Sequence, residues 1–261
     1  MVCFKAGGVT LALAGHRLAG ALVFFAPDPW VALQFVMARA QAFGPAVTSF
    51  RTDRREVWLT IDDGPDPAST PRVLELLREH RARATFFLIG ERVTRHPELA
   101  RRIVAEGHTI GNHTLTHPAS TFWRASPARI AAEIDGCTGA LILANAPFEH
   151  YFRPPVGIRN FFLNSQLTAR GMMLVLWNAR GLDGGNAEPV DALARIAPQI
   201  QPGSILVSHE GGVRADRRLD YLERLLGFLG EQRYACVLPE RGALLHEGLW
   251  AYSTNTPKLG A

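Results

Sequence analysis

The sequence predicts an α/β fold in which about seven parallel strands close into a barrel, and three observations carry that reading. From residue 56 onward, short apolar β-rich runs alternate with helical patterns without a break. The runs are near-continuously apolar, as in parallel strands covered on both faces. Finally, Asp62, Asp63, His113, Arg153, Asp183 and His209 all fall at or just past the C-terminal ends of predicted strands. In a parallel barrel those ends share one rim, where active sites form.

The elements follow in order. Residues 57–61 (Val-Trp-Leu-Thr-Ile) form a strand that runs into two aspartates. A helix over 70–80 has Val73, Leu74, Leu76 and Leu77 at helical spacing and Pro71 in its first turn, where the missing N–H costs nothing. The strand 84–89 is closed by Gly90, and the helix 97–106 stops at Gly107. A strand at 108–112 leads into His113, and a helix covers 127–144. Strands at 151–153, 172–177, 204–208 and 234–238 then alternate with helices at 161–169, 189–200 and 217–229.

The chain has 261 residues, 47% of them apolar and 20% charged, enough for one sizeable core. Its net charge of +4 is spread with acids over predicted helices, a solvated surface and not a nucleic-acid footprint. Cys3, Cys137 and Cys236 are odd in number and contain no Cys-x-x-Cys pair, so neither a disulfide framework nor a thiolate metal site is indicated.

Residues 9–26 are predominantly apolar, with His16 and Arg17 near the middle, and a second apolar run covers 30–43 after Pro27-Asp28-Pro29. Only Lys5 precedes the first run and no small-x-small cleavage site follows it, so a signal peptide is disfavoured. We expect membrane association through residues 9–43, with side unresolved; helices packed on the domain are the alternative. The expected division is an apolar helical segment at 1–50, a catalytic barrel at 51–245 and a loosely ordered tail at 246–261.

The chemistry is carried by Asp62-Asp63-Gly64-Pro65 and by His113-Thr114-Leu115-Thr116-His117-Pro118. Adjacent carboxylates at a buried strand end are costly unless a cation compensates them. One carboxylate and two imidazoles hold a divalent ion and leave coordination positions open, the arrangement of a catalytic site. The second carboxylate is then free to act as a base. Pro118 disfavours helical geometry at His117, so a strand-to-loop turn, not a helix, brings the imidazoles together.

Five segments in order resemble the NodB-homology polysaccharide deacetylases, carbohydrate esterase family four. They are Thr60–Pro65, His113–His117, Arg153-Pro154-Pro155-Val156-Gly157, Trp177 through Asp183, and Val207-Ser208-His209. The resemblance implies a distorted (β/α) barrel and metal-dependent removal of N- or O-linked acetyl groups from sugars. By motif, Asp63, His113 and His117 would hold the metal, most often zinc in this family, and Asp62 would be the general base. Arg153 would pair with Asp62, and the Val156 N–H would donate to the oxyanion. His209 would protonate the leaving amine with Asp183 orienting it, and Thr114 would hydrogen-bond within the histidine loop.

Departures from the family pattern bear on substrate. Ile61 stands where an aromatic is common, Val156 where many members have tyrosine, and Gly184 where tryptophan usually follows the aspartate. Loss of two sugar-gripping aromatics argues against a long chitin-like polymer and, with the apolar N-terminus, favours a membrane-associated or lipid-linked glycan. Two other readings compete. Two histidines and one carboxylate also form the facial triad of iron(II) oxygenases, but that leaves Asp62 and His209 unemployed. A non-catalytic glycan-binding or membrane scaffold protein would not need every acid, base and ligand position filled.

Overall fold

A computed structural model describes residues 44–247. The apolar runs at 9–43, and the tail from 248 onward, lie outside the described residues. Strand β1 is Ala46–Phe50 and β2 is Glu56–Asp62. After α1 (Thr70–Glu79) come β3 (Ala84–Leu88), α2 (Gly90–Arg95), α3 (Pro97–Ala105) and β4 (Thr109–Asn112). Next are α4 (Pro127–Leu143), β5 (Tyr151–Phe152), α5 (Leu163–Thr168), β6 (Met173–Leu174) and β7 (Ala179–Arg180). The series closes with α6 (Pro189–Ile196), β8 (Ile205–His209), α7 (Ala215–Glu231), β9 (Ala235–Cys236) and β10 (Leu244–Glu247).

Seven parallel strands form one curled sheet in the order β6-β5-β4-β3-β2-β8-β7. Its two edges are halves of a single broken passage, which explains how the sheet curls into an incomplete barrel. The Val175 N–H still donates to Phe152, Leu176 donates to Val47, and Asn178 already donates to Ile205. The sequence reading took 172–177 as one strand and missed β7. The strand expected at 234–238 is the two-residue β9, which pairs only with the start of β2. Helix α2 was also not anticipated, being six residues squeezed between β3 and α3.

The ends of the chain needed a further correction. Ala46–Phe50 is a strand and not part of a helical segment, and it pairs antiparallel with Leu244–Glu247, which runs across the boundary at 245/246 expected between barrel and loose tail. This ribbon bridges Val175 and Ser204 near the start of β8, away from the catalytic rim. A short run of alternating residues pairs readily once its partner, almost two hundred positions away, is brought beside it.

The period-two alternation of each strand divides the core. Val57, Leu59 and Ile61 of β2, with Ala84, Phe86 and Leu88 of β3, face outward into the layer packed by the helices. Trp58, Phe87, Ile205 and Val207 belong to a second cluster inside the curl. Helix α7 supplies Tyr221, Leu222, Leu225, Leu226 and Leu229 to the outer layer. Each such side chain contributes roughly 1.5–3 kcal/mol on full burial. Two polar groups inside the curl are paired: the Trp58 indole donates to Thr85 (2.8 Å) and the Thr60 hydroxyl to the Leu206 carbonyl (2.7 Å).

Register then delivers the site. Asp62 stands opposite His209 on β8, and Leu88 stands opposite Asn112, which stands opposite Phe152. The residues that follow these positions, Asp63, His113 and Arg153, therefore leave the sheet at one level.

Candidate active site

Asp63 turns off the end of β2 with a left-handed φ of 75°. Its Oδ1 lies 3.6 Å from His113 Nε2 and 3.4 Å from His117 Nε2. One ligand atom from each of these three residues lies within 4.8 Å of the other two. His113 Nδ1 sits 2.8 Å from the Arg153 carbonyl. A carbonyl can only accept, so Nδ1 carries a proton and Nε2 is the nitrogen that faces Asp63. Burial, and then the neighbouring His113, push the His117 pKa down to about 4, so that imidazole is neutral. Burial opposes the charge on Asp63, but His113 beside it and the charge of His209 hold the carboxyl well below the usual range. A neutral imidazole at His117 and an ionised carboxylate at Asp63 are forms that suit a divalent ion.

The turn holding the histidines is built from polar contacts. Thr114 (φ 69°) accepts on its hydroxyl from the His117 N–H at 3.0 Å, and the Asn112 side chain accepts from the Thr114 N–H at 2.9 Å. Buried Glu133 on α4 accepts from the Thr116 N–H (2.9 Å) and hydroxyl (2.8 Å). From α2, Gly90 and Glu91 donate to the carbonyls of Thr114 and Leu115. A Cβ at Gly90 would come 2.7 Å from the Cys137 backbone, so this close approach requires glycine.

Asp62 points into the curl beneath the triad. Arg153 Nη1 donates to Asp62 Oδ1 and to the Thr60 hydroxyl, both at 2.7 Å. Its Nε and Nη2 donate at 3.0 Å to the carbonyls of Val175 and Leu176, which the break between β6 and β7 has freed from the ladder. The guanidinium also lies over the Phe87 ring, 4.1 Å from its centroid. Burial lowers the Arg153 pKa and Asp62 raises it again; arginine nevertheless stays protonated in proteins.

On the opposite wall, His209 Nδ1 lies 3.1 Å from Asp183 Oδ1, while Asp183 Oδ2 accepts from the His209 N–H at 2.8 Å. Burial works against a charged His209. The Asp183 charge and hydrogen bond, with Asp63 and Asp62 beyond, outweigh it and raise the pKa to about 9.

Val156 carries a left-handed φ of 50°, unfavourable for a β-branched residue. Gly157 and Ile158 donate to the carbonyls of Pro154 and Pro155, and no described group accepts from the Val156 N–H. Among the described residues eight non-glycine residues have positive φ, and Arg81, Asn145 and Arg233 are the αL caps just past α1, α4 and α7. The other five, Asp63, Thr114, His117, Val156 and Leu182, all belong to the loops around the site. Backbone strain is concentrated where the side chains must converge.

These groups border a pocket of about 650 Å³, within the ~300–1,000 Å³ usual for small-molecule sites. Asp63, His113, His117, Val156, Asp183 and His209 line it, whereas Arg153 lies behind the wall, fully enclosed, and Asp62 beside it keeps a 2% exposure. The structure thus brings all eight residues named from the sequence to one end of the sheet. Glu133, Asn112 and Arg218 were missed. Glu133 left one trace, a lone acid among Ile130, Ile134 and Cys137 at core spacing on a helix. Arg218 left none, because its contacts with Asp63 (3.4 Å) and with the carbonyls of Glu210 and Gly211 depend on how α7 docks.

A curled parallel sheet carrying an Asp/His/His cluster and an Asp–Arg pair at its C-terminal rim fits the class of metal-dependent hydrolases. The polysaccharide deacetylase profile matches residues 50–174. The chain is 37% identical over 158 residues to a chitooligosaccharide deacetylase of Bradyrhizobium sp. (strain ANU 289), covering 60% of this chain and 71% of that protein. It is 35% identical over 182 residues to a peptidoglycan-N-acetylglucosamine deacetylase of Bacillus cereus, covering 69% and 84%. The Bc1960 peptidoglycan N-acetylglucosamine deacetylase, solved with 4-naphthalen-1-yl-N-oxidanyl-benzamide, superposes with a TM-score of 0.68 at 27% identity, covering 82% and 94%. The chain therefore belongs to the NodB-homology polysaccharide deacetylases, carbohydrate esterase family four. It is an amide-hydrolysing enzyme, and the oxygenase reading falls.

Proposed function

We propose that this enzyme removes the acetyl group from an N-acetylated amino sugar of a glycan, with O-acetyl sugars as secondary substrates. Asp63, His113 and His117 hold a divalent ion, zinc in our reading. When bound, that ion polarises the acetyl carbonyl and lowers the pKa of a coordinated water from ~15.7 to about 7. The observation that carries the proposal is the pairing of this cluster with Asp62, an acid–base residue outside it whose carboxylate Arg153 grips at 2.7 Å.

Asp62 takes the proton of the attacking water, and Arg153 holds the carboxylate oriented. The unpartnered Val156 N–H donates to the oxygen on which negative charge develops. His209, kept protonated by Asp183, gives its proton to the departing amine. Asp183 spends both oxygens on His209, so its role is to position and not to react.

Among the described residues no helix is long and apolar enough to cross a membrane. The apolar runs at 9–43 support membrane association and a lipid-linked glycan in this proposal. The test is acetate release from N-acetylated chitooligosaccharides and from peptidoglycan fragments. Release that needs a divalent ion and stops with a chelator supports the reading. A metal-loaded, folded protein that releases no acetate from any N-acetylated glycan would leave a non-catalytic glycan-binding protein as the better account.

A further inference from the structure

Three arginines, Arg180, Arg195 and Arg218, line the pocket, where the acids are Asp63 and Asp183. Both acids are already engaged, Asp63 with the histidines and Asp183 with His209. The three guanidiniums are spent unevenly. Arg218 donates to the carbonyls of Glu210 and Gly211 and approaches Asp63. Arg195 donates once, to the Gly181 carbonyl at 3.1 Å, leaving most of its five N–H groups unused. Arg180, at the C-terminal end of β7, is exposed, and its guanidinium makes no hydrogen bond or ion pair among the described residues. Arg195 donates to the residue that follows Arg180, so the two lie on one wall, beside the loop that carries Asp183. That wall has Gly184 and Leu182 facing the pocket, and Trp177, which also lines it, is buried and presents little of its ring to a sugar.

We propose that Arg180 and Arg195 form an oxyanion subsite, so that the preferred substrate is an N-acetylated sugar bearing a phosphate or carboxylate group. The proposal rests on the deacetylase reading and deepens it by naming the substrate's second functional group. Guanidinium forks match both phosphate and carboxylate in a bidentate manner, and such charge-assisted bonds are about twice as strong as neutral ones. A charged handle replaces the stacking that aromatic walls would supply.

The test compares kcat/KM of the metal-loaded enzyme on N-acetylglucosamine 1-phosphate and methyl N-acetylglucosaminide, and on N-acetylmuramic acid and N-acetylglucosamine. We expect about tenfold or more in favour of at least one anionic member, from the gain of a hydrogen bond between charged groups. The pair showing the gain identifies phosphate or carboxylate as the group read. In Arg180→Ala/Arg195→Ala that preference should collapse towards one. Equal rates within each pair in wild type, with the neutral sugars turned over, would overturn the subsite and leave the deacetylase reading standing. If no sugar is turned over, calorimetric titration with N-acetylglucosamine 1-phosphate and N-acetylmuramic acid decides separately. Binding of either by wild type that is lost in the double variant supports the subsite. No binding, or equal binding to both proteins as for phosphate ligating the metal, overturns it.

Discussion

Arg153 joins Asp62 to the one break in the barrel wall: the same guanidinium that donates to the carboxylate at 2.7 Å also caps the carbonyls of Val175 and Leu176. The pair therefore plugs the wall and, in the proposed mechanism, also orients the base. Removing one partner of a buried pair strands the other charge, at a cost of about 3–5 kcal/mol.

The two members should consequently fail differently. Arg153→Met should lower the unfolding free energy by about 3–5 kcal/mol, since it strands Asp62 and orphans two carbonyls. Asp62→Asn keeps an acceptor for Arg153 and should cost markedly less stability while removing most turnover. Urea unfolding and acetate release on both variants check this. Equal stability losses would mean that the plug matters less than the charge pair.

The acid at the far wall gives a pH prediction. Asp183 raises the pKa of His209, so Asp183→Asn makes the imidazolium easier to deprotonate and should move the alkaline limb of the kcat profile to lower pH. His209→Ala should lower turnover on an N-acetyl sugar by roughly 10²–10⁴-fold, the range for a positioned general acid. An activated ester, whose leaving group needs less protonation, should suffer less from either change. An unmoved alkaline limb in Asp183→Asn would remove His209 from the acid role.

Glu210 makes a stability prediction independent of catalysis. Burial raises its pKa to about 8 against the hydrogen bond from Thr70, with Asp66 adding to the rise. One carboxyl oxygen accepts from Thr70 at 2.7 Å while the other has no partner. Between the ordinary carboxylate range and about 8, the folded chain binds a proton that the unfolded chain has released, so stability falls as pH rises through that window. His108 and His117, with pKa lowered by burial to about 4, act in the opposite sense below about pH 6.5. The test is therefore the difference between proteins: the melting temperature of Glu210→Gln should gain on wild type as pH rises from about 5 to 8. Parallel curves for the two proteins would show that Glu210 is ionised in the fold.

The parts of this molecule legible in its sequence are those fixed by local pattern. Runs such as 57–61 and 84–89 announce strands, and Asp62-Asp63 and His113–His117 announce chemistry at their ends. The break between β6 and β7 was not legible, because 172–177 reads as one apolar strand and the reason to interrupt it is Arg153, twenty residues upstream. The β1–β10 ribbon was hidden for a similar reason, each half short and its partner at the other end of the domain. Glu133 and Arg218 support the site through contacts that exist only after helices dock. Sequence reading found groups defined by motif and missed those defined by packing.

The most direct measurement is metal content and turnover of Asp62→Asn and Asp63→Asn side by side. The two carboxylates are neighbours in the chain, yet Asp63 faces the histidines at 3.4–3.6 Å and Asp62 faces Arg153. Elemental analysis after metal loading, with acetate release from an N-acetylated chitooligosaccharide, should find about one ion per chain in wild type and in Asp62→Asn. Asp63→Asn should lose the ion, and both variants should lose most activity. Retention of metal by Asp63→Asn, or equal loss from both variants, would contradict the division of labour proposed for this site.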